Sequence, residues 1–141
     1  MPNPKSDLPS VTALGRLPYL TAVIHEATRL AHGVTGRLVR IAPDEDLQYA
    51  GYTIPRGVPF SVSNYIHHTD PSVFPDPFTF KPERYLGPNA AENLRNLVPF
   101  GKGPRMCLGI NLAWAEMYSM IAAVISGVKM ELYQTTDRDL T

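Results

Sequence analysis

Residues 100–109 read FGKGPRMCLG and hold the only cysteine of the chain, set among glycines and two basic residues at the head of an apolar helical run. A lone cysteine is most often a small buried hydrophobe. The neighbours of Cys107 argue otherwise. Gly103 and Gly109 let the backbone approach something flat or bulky, and Arg105 sets a cation two residues away. The amides of Leu108, Gly109 and Ile110 open a helix directed at the sulfur. All three features favour a thiolate.

The companions of a nucleophilic thiolate are missing. Position 113 is Ala where a cysteine phosphatase needs Arg, and the cysteine-protease signatures are absent. Gly101-Lys102 lacks the upstream glycine and the following Ser or Thr of a phosphate loop. What remains is metal ligation. One soft ligand without a histidine cluster at metal spacing calls for a metal that brings its other ligands with it, as haem iron does.

Outward from this loop, Ile110, Ala113, Trp114, Met117, Ile121, Val124, Ile125 and Val128 follow helical spacing and predict a helix over 110–130. Upstream, Pro18 opens a second periodic stretch, Leu17, Leu20, Ile24, Ala27 and Ala31, which predicts a helix over 17–33 stopping at Gly33. Residues 1–16 read as a lead-in loop. Over 36–62 the pieces GRLVRIA, DLQY, YTI and VPFSV predict a small sheet cut by Ala50-Gly51 and Pro55-Arg56-Gly57. Residues 63–99 hold too many prolines for regular structure and read as an irregular crossing. His25, His67 and His68 read as loop or helix-surface side chains, and Trp114 and the methionines as core.

At 141 residues the chain suits one domain. Thirteen basic and thirteen acidic residues balance to a formal charge of zero, which points away from nucleic acid and from a polybasic membrane patch. A single cysteine excludes an internal disulfide. No signal peptide is read at the start, and the longest apolar stretch, Leu112 to Val128, carries Glu116 and falls short of the ~20 residues of a membrane span.

Phe100, Gly103, Arg105, Cys107 and Gly109 match, in order and spacing, the haem-binding signature F-x-x-G-x-R-x-C-x-G of the cytochromes P450. Glu26-Ala27-Thr28-Arg29 resembles the family's E-x-x-R on its helix K, and PERY at 82–85 resembles its Pro-Glu-Arg-aromatic motif. The likeness covers essentially the whole chain and is closest to filamentous-fungal members. It implies an α+β, mainly α fold, the C-terminal fragment of the P450 fold running from helix K through a small meander and the cysteine loop to helix L.

The same resemblance implies haem b, with Cys107 as axial iron ligand, an electron-rich donor of the kind that favours O–O cleavage. Arg105 would pair with one propionate, Phe100 would pack on the sulfur side of the ring, and Gly103 and Gly109 would shape the loop. Arg40 would meet the second propionate, with Arg37 a weaker candidate and a solvated strand charge the other reading of Arg40. Glu26, Arg29 and Arg84 would form a structural network and not a catalytic acid. Without the family, Glu26 and Arg29 are an ordinary i, i+3 surface pair worth ~0.2–0.5 kcal/mol.

The implied activity is a haem-thiolate monooxygenase, inserting oxygen into a small apolar organic substrate with electrons from NADPH through a separate reductase. Val34, Thr35 and Gly36 are the substrate-facing candidates, and Lys102 and Arg95 the basic docking candidates. Full-length eukaryotic relatives are typically endoplasmic-reticulum membrane proteins. The long distal helix with its acid-alcohol pair has no counterpart here, so the activity of this chain alone is open. A non-catalytic haem-binding module and a truncated product without independent activity are the alternatives. Expressed alone, the chain is expected to aggregate or stay molten, because its last helix is apolar around much of its girth.

Overall fold

The computed structural model describes residues 8–136. Helix α1 (Val11–Leu14) opens on Ser10, whose hydroxyl accepts the Ala13 amide at 3.2 Å. This corrects the reading of residues 1–16 as a lead-in loop, of which residues 1–7 lie outside the described part. The cap satisfies an otherwise orphaned donor, and Leu14 packs with Ile24 and Tyr118, so burial organises a turn that has no period of its own.

Helix α2 (Pro18–Leu30) starts on a proline whose missing N–H would have no partner there in any case. It is shorter than the expected 17–33. Leu17 is an extended cap, and beyond Ala31 the residue His32 turns into the left-handed region at φ 45°, which ends the helix before Gly33. Its buried positions are Ala22, Ile24, Glu26 and Arg29, an apolar half followed by a charged half.

The sheet expected over 36–62 reduces to one hairpin. Strands β1 (Leu47–Tyr49) and β2 (Tyr52–Ile54) pair antiparallel, with Leu47 opposite Ile54 and Tyr49 opposite Tyr52. The turn residues Ala50 and Gly51 both have positive φ, 48° and 83°, as a two-residue hairpin turn with the strands' own twist requires. GRLVRIA and VPFSV meet only at a single bridge between Arg40 and Phe60. Pro59 beside that bridge has no N–H to extend a ladder.

The crossing over 63–99 is less irregular than its prolines suggest. It contains α3 (Asn64–His68), a 3₁₀ turn at Pro82–Tyr85 and α4 (Ala90–Asn96). The prolines lie between these pieces or, at Pro82, on a first helical position where proline is tolerated. Helix α5 (Ile110–Gly127) ends three residues before the expected 130, at Gly127, after which Val128 is extended.

Two buried clusters hold the molecule. In one, Leu14, Ile24 and Tyr118 are buried with Leu20, Trp114, Met117, Ile121 and Ala122 partly buried around them, and the hydroxyls of Tyr118 and Thr21 bond at 2.9 Å. Among the described methionines only Met117 packs there, since Met106, Met120 and Met130 are exposed and not core as expected. The other cluster is polar: Glu26, Arg29 and His68 are buried with Phe74 and Tyr85. His68, at 1% exposure, is therefore not the surface histidine its sequence context suggests. His25 is half-buried, edge-on to both Tyr85 and Trp114 at 5.3 Å. Among the described residues no helix is long and apolar enough to cross a membrane.

Candidate functional site

The cysteine loop is closed by its own backbone. The Cys107 amide donates to the Phe100 carbonyl at 2.9 Å, the Gly101 amide to Val98 at 3.0 Å, and the Met106 amide to Gly103 at 3.1 Å. Gly101 and Gly103 sit at φ 72° and 78°, and a Cβ on Gly103 would meet nothing within 4 Å. What glycine supplies at 103 is thus a left-handed backbone and not room for another protein group. Gly109, at φ −84°, caps α5, and a Cβ there would sit 4.0 Å from Cys107 Sγ, an ordinary contact.

Cys107 is exposed and opens into a cavity of about 560 Å³, within the ~300–1,000 Å³ of small-molecule and cofactor sites. Arg105, Phe100 and Lys102 line it from the loop, Val34, Leu38 and Arg40 from the segment after α2, and Phe60 and Val62 from the far side of the single bridge. The Arg40–Phe60 bridge, with amide-to-carbonyl distances of 2.8 and 2.9 Å, thus ties two walls of one cavity together. Both Arg40 and Arg105 are exposed there. Phe100 is edge-on to Trp114 at 5.6 Å, which anchors the loop to α5. Arg37 and Thr35 face a separate depression of about 520 Å³ with Ser63, Tyr65 and Ile66, and Gly36 lines neither.

The cavity brings one thiol and the cations of Arg40, Arg105 and Lys102 together with Ser61, Asn64 and mainly apolar walls. It fits a flat apolar macrocycle that carries two carboxylates and a metal in need of one soft ligand. No group of three or more His, Cys, Asp or Glu side chains among the described residues could hold a bare metal ion.

Behind the loop lies the charged cluster. Glu26 takes a bidentate pair from Arg29, Nε to Oε2 and Nη2 to Oε1, both at 2.9 Å. Its Oε1 also accepts Arg84 Nε and the Lys81 amide, each at 3.0 Å. Burial pushes the Glu26 carboxyl up, but the bonds from Arg29 and Lys81 and the two guanidinium charges outweigh it, and the carboxyl lies below its ordinary value. Arg29 spends its remaining edge on the His68 carbonyl at 2.7 Å and lies over the Phe74 ring, 5.2 Å from its centre. Arg84 also donates to the carbonyl of Pro75 at 3.0 Å. Burial and the neighbouring His67, Arg29 and His32 lower His68 to about 4, so it is neutral. Burial pushes the Tyr85 phenol up, and burial lowers His25.

The comparisons with known proteins coincide with this geometry. The family model "Cytochrome P450" matches residues 4–141. This chain belongs to the cytochrome P450 family. It is 57% identical to cytochrome P450 monooxygenase ucsK of Acremonium sp, over 100% of this chain and 28% of that protein. It is 47% identical to cytochrome P450 monooxygenase pbrB of Penicillium brasilianum, over 93% and 26%. Among solved structures it is similar to the retinoic acid-bound cyanobacterial CYP120A1, with a TM-score of 0.65 and 30% identity over 79% of this chain and 27% of that one. The chain therefore spans about a quarter of the length of the P450s it matches, and its mostly helical fold with a two-strand sheet is that of the C-terminal part of a P450.

Proposed function

We propose that this chain carries the thiolate side of a haem site in a P450 monooxygenase that inserts oxygen into a small apolar organic substrate. The observation that carries the reading is the meeting, in one cavity, of the exposed Cys107 thiol with Arg40, Arg105 and Phe100. Cys107 would hold the iron, Arg105 and Arg40 would each take a propionate, and Phe100 would pack beside the thiol. When bound, haem supplies the one-electron and dioxygen chemistry that no side chain here can.

The protein's own part is local. The Cys107 amide donates to the Phe100 carbonyl, which fixes the backbone that carries the sulfur. Val34, which lines the cavity, is the strongest of the three substrate-facing candidates, and Thr35 lies beyond it in the neighbouring depression. Electrons come from NADPH through a separate reductase. Arg95 is the freer of the two docking cations, because Lys102 turns its ammonium back onto the Arg95 carbonyl.

Titration of the chain with haem, followed by the reduced carbon-monoxide difference spectrum, tests the reading. The red-shifted band for which the family is named is expected in the parent and absent in Cys107→Ala. Haem binding indifferent to that substitution would overturn it. Stoichiometric haem binding that keeps the band but supports no turnover with any reductase would favour a non-catalytic haem-binding module.

A further inference from the structure

Helix α3 carries Asn64, His67 and His68 at i, i+3 and i+4, which is one helical face. All three side chains bond the backbone of the segment that leads into the cysteine loop. Asn64 Nδ2 donates to the Val98 carbonyl at 3.0 Å, His67 Nε2 donates to the Asn96 carbonyl at 2.8 Å, and the Val98 amide donates to His68 Nε2 at 3.0 Å. Val98 is thereby held at both its polar groups. The same Val98 carbonyl accepts the Gly101 amide, and the next carbonyl but one, that of Phe100, accepts the Cys107 amide. On its other side His68 receives Arg29 on its carbonyl, so a continuous path of hydrogen bonds runs from the buried carboxylate to the thiol-bearing loop.

We infer that His68, with Asn64, is a positioning residue for Cys107, holding Val98 so that the loop presents the thiol in one fixed geometry. The inference rests on the proposed function for its significance and not for its geometry. The two adjacent histidines must take opposite roles. His67 meets a carbonyl and so carries its proton on Nε2, whereas His68 meets an amide N–H and must present a bare Nε2, with its proton on Nδ1. A charged His68 would turn a donor toward a donor and open the clamp. His67, on the same helix, and Arg29 and His32, at the end of α2 and just beyond it, are the charged or titratable groups that face His68. All three oppose a further positive charge. The buried, uncharged state of His68 is thus a condition of the clamp.

Hydrogen exchange of the full 141-residue chain, read by mass spectrometry on peptides covering 98–107, separates this role from general support. His68→Phe keeps bulk and removes the acceptor. It is expected to speed exchange across 98–107 about tenfold, the order expected for a lost buried hydrogen bond, while α5 keeps its protection. His68→Gln, whose amide oxygen reaches the Nε2 position, is expected to restore most of it. Asn64→Ala is expected to act like His68→Phe, and it decides the matter if the latter fails to fold. Loss of protection over 98–107 as the parent is acidified toward pH 4, ahead of α5, is the matching pH profile. In the haem-loaded chain the clamp variants are expected to shift the carbon-monoxide band away from its thiolate position, with Gln again rescuing.

Unchanged exchange at 98–107 in Asn64→Ala and His68→Phe, a Gln variant no better than Phe, or a parent whose 98–107 segment is unprotected would each overturn the inference. Because exchange is read without haem, failure of haem to bind overturns the proposed function and leaves this result standing.

Discussion

Glu26 shows how far context sets the worth of one side chain. As an i, i+3 partner of Arg29 on a free helix it would contribute a few tenths of a kcal/mol, but here it is fully buried and shared by two guanidinium groups. Replacing it by Gln leaves both cations without their counter-charge, and we expect a loss of about 3–5 kcal/mol in a urea melt. Lys129→Ala, which breaks the exposed pair with Glu131 at 3.3 Å, is expected to leave the midpoint unmoved. The pH dependence follows from His68. Its folded pKa, about 4, lies below the ordinary 6.5, so the unfolded chain binds more protons between those values. Stability from this residue is complete above pH 6.5 and is lost as pH falls toward 4, by about 3 kcal/mol in all. Glu26, held below its ordinary value, adds to the same acid-side loss. Urea midpoints that rise on acidification from pH 7 to 5 would contradict this assignment.

Among the elements, α2 and α5 are legible in the sequence because their apolar residues recur at 3.6-residue spacing, and that period survives whatever the rest of the chain does. Helices α1 and α4 are not, being four and seven residues long, too short to show a period. Helix α1 exists through a serine cap and packing against α5, and α4 through contact with the 3₁₀ turn just before it, where Asn93 Nδ2 donates to the Arg84 carbonyl. The sheet is smaller than its composition suggests for the opposite reason: strand-like residues occur on both sides of Arg40 and Phe60, but beyond their single bridge only the hairpin with its paired positive-φ turn has partners in register. In the cavity, the loop residues could be picked out because they are clustered in sequence, and Arg40 only through the family likeness. His68 could not, since nothing local distinguishes it from His67. The i, i+3, i+4 spacing of Asn64, His67 and His68 was the available signal. The loop also separates two glycines. Gly103→Ala forces a side chain into a left-handed backbone and should cost about 1–2 kcal/mol, seen as a lower melting temperature and weaker haem retention. Gly109→Ala, at an ordinary φ with a 4.0 Å neighbour, should be nearly neutral in both measurements.

The whole molecule presents more apolar surface than a free-standing domain usually does. Leu108 is fully exposed, Leu132 and Tyr133 are 87% and 80% exposed, and α5 leaves Leu112, Met120 and Ile125 exposed, the last on the same face as Tyr118 but two turns beyond it. The formal charge of zero supplies no net repulsion to keep copies apart. We expect concentration-dependent self-association and strong binding of a hydrophobic dye, measured by sedimentation velocity and dye fluorescence. A single monomer boundary at both low and high concentration, without dye binding, would show that these faces are sufficiently solvated. Coverage of about a quarter of each matched P450 fits the same picture, since faces packed within a longer protein need no polar dress.

The separation of the charged partners also sets a schedule. Glu26 and Arg29 are made three residues apart, and Arg84 follows 58 residues after Glu26. At ribosomal speeds of ~5–20 residues per second that is a wait of roughly 3–12 s. During it α2 is a thirteen-residue helix near the lower limit of independent stability, bearing a charge pair still bathed in water. The carboxylate can be desolvated only once Arg84 has emerged, and Val98 must emerge before His68 can seize it. The nascent chain thus acquires its anchor before its cysteine loop, and the thiol is the last part of the site to find its place.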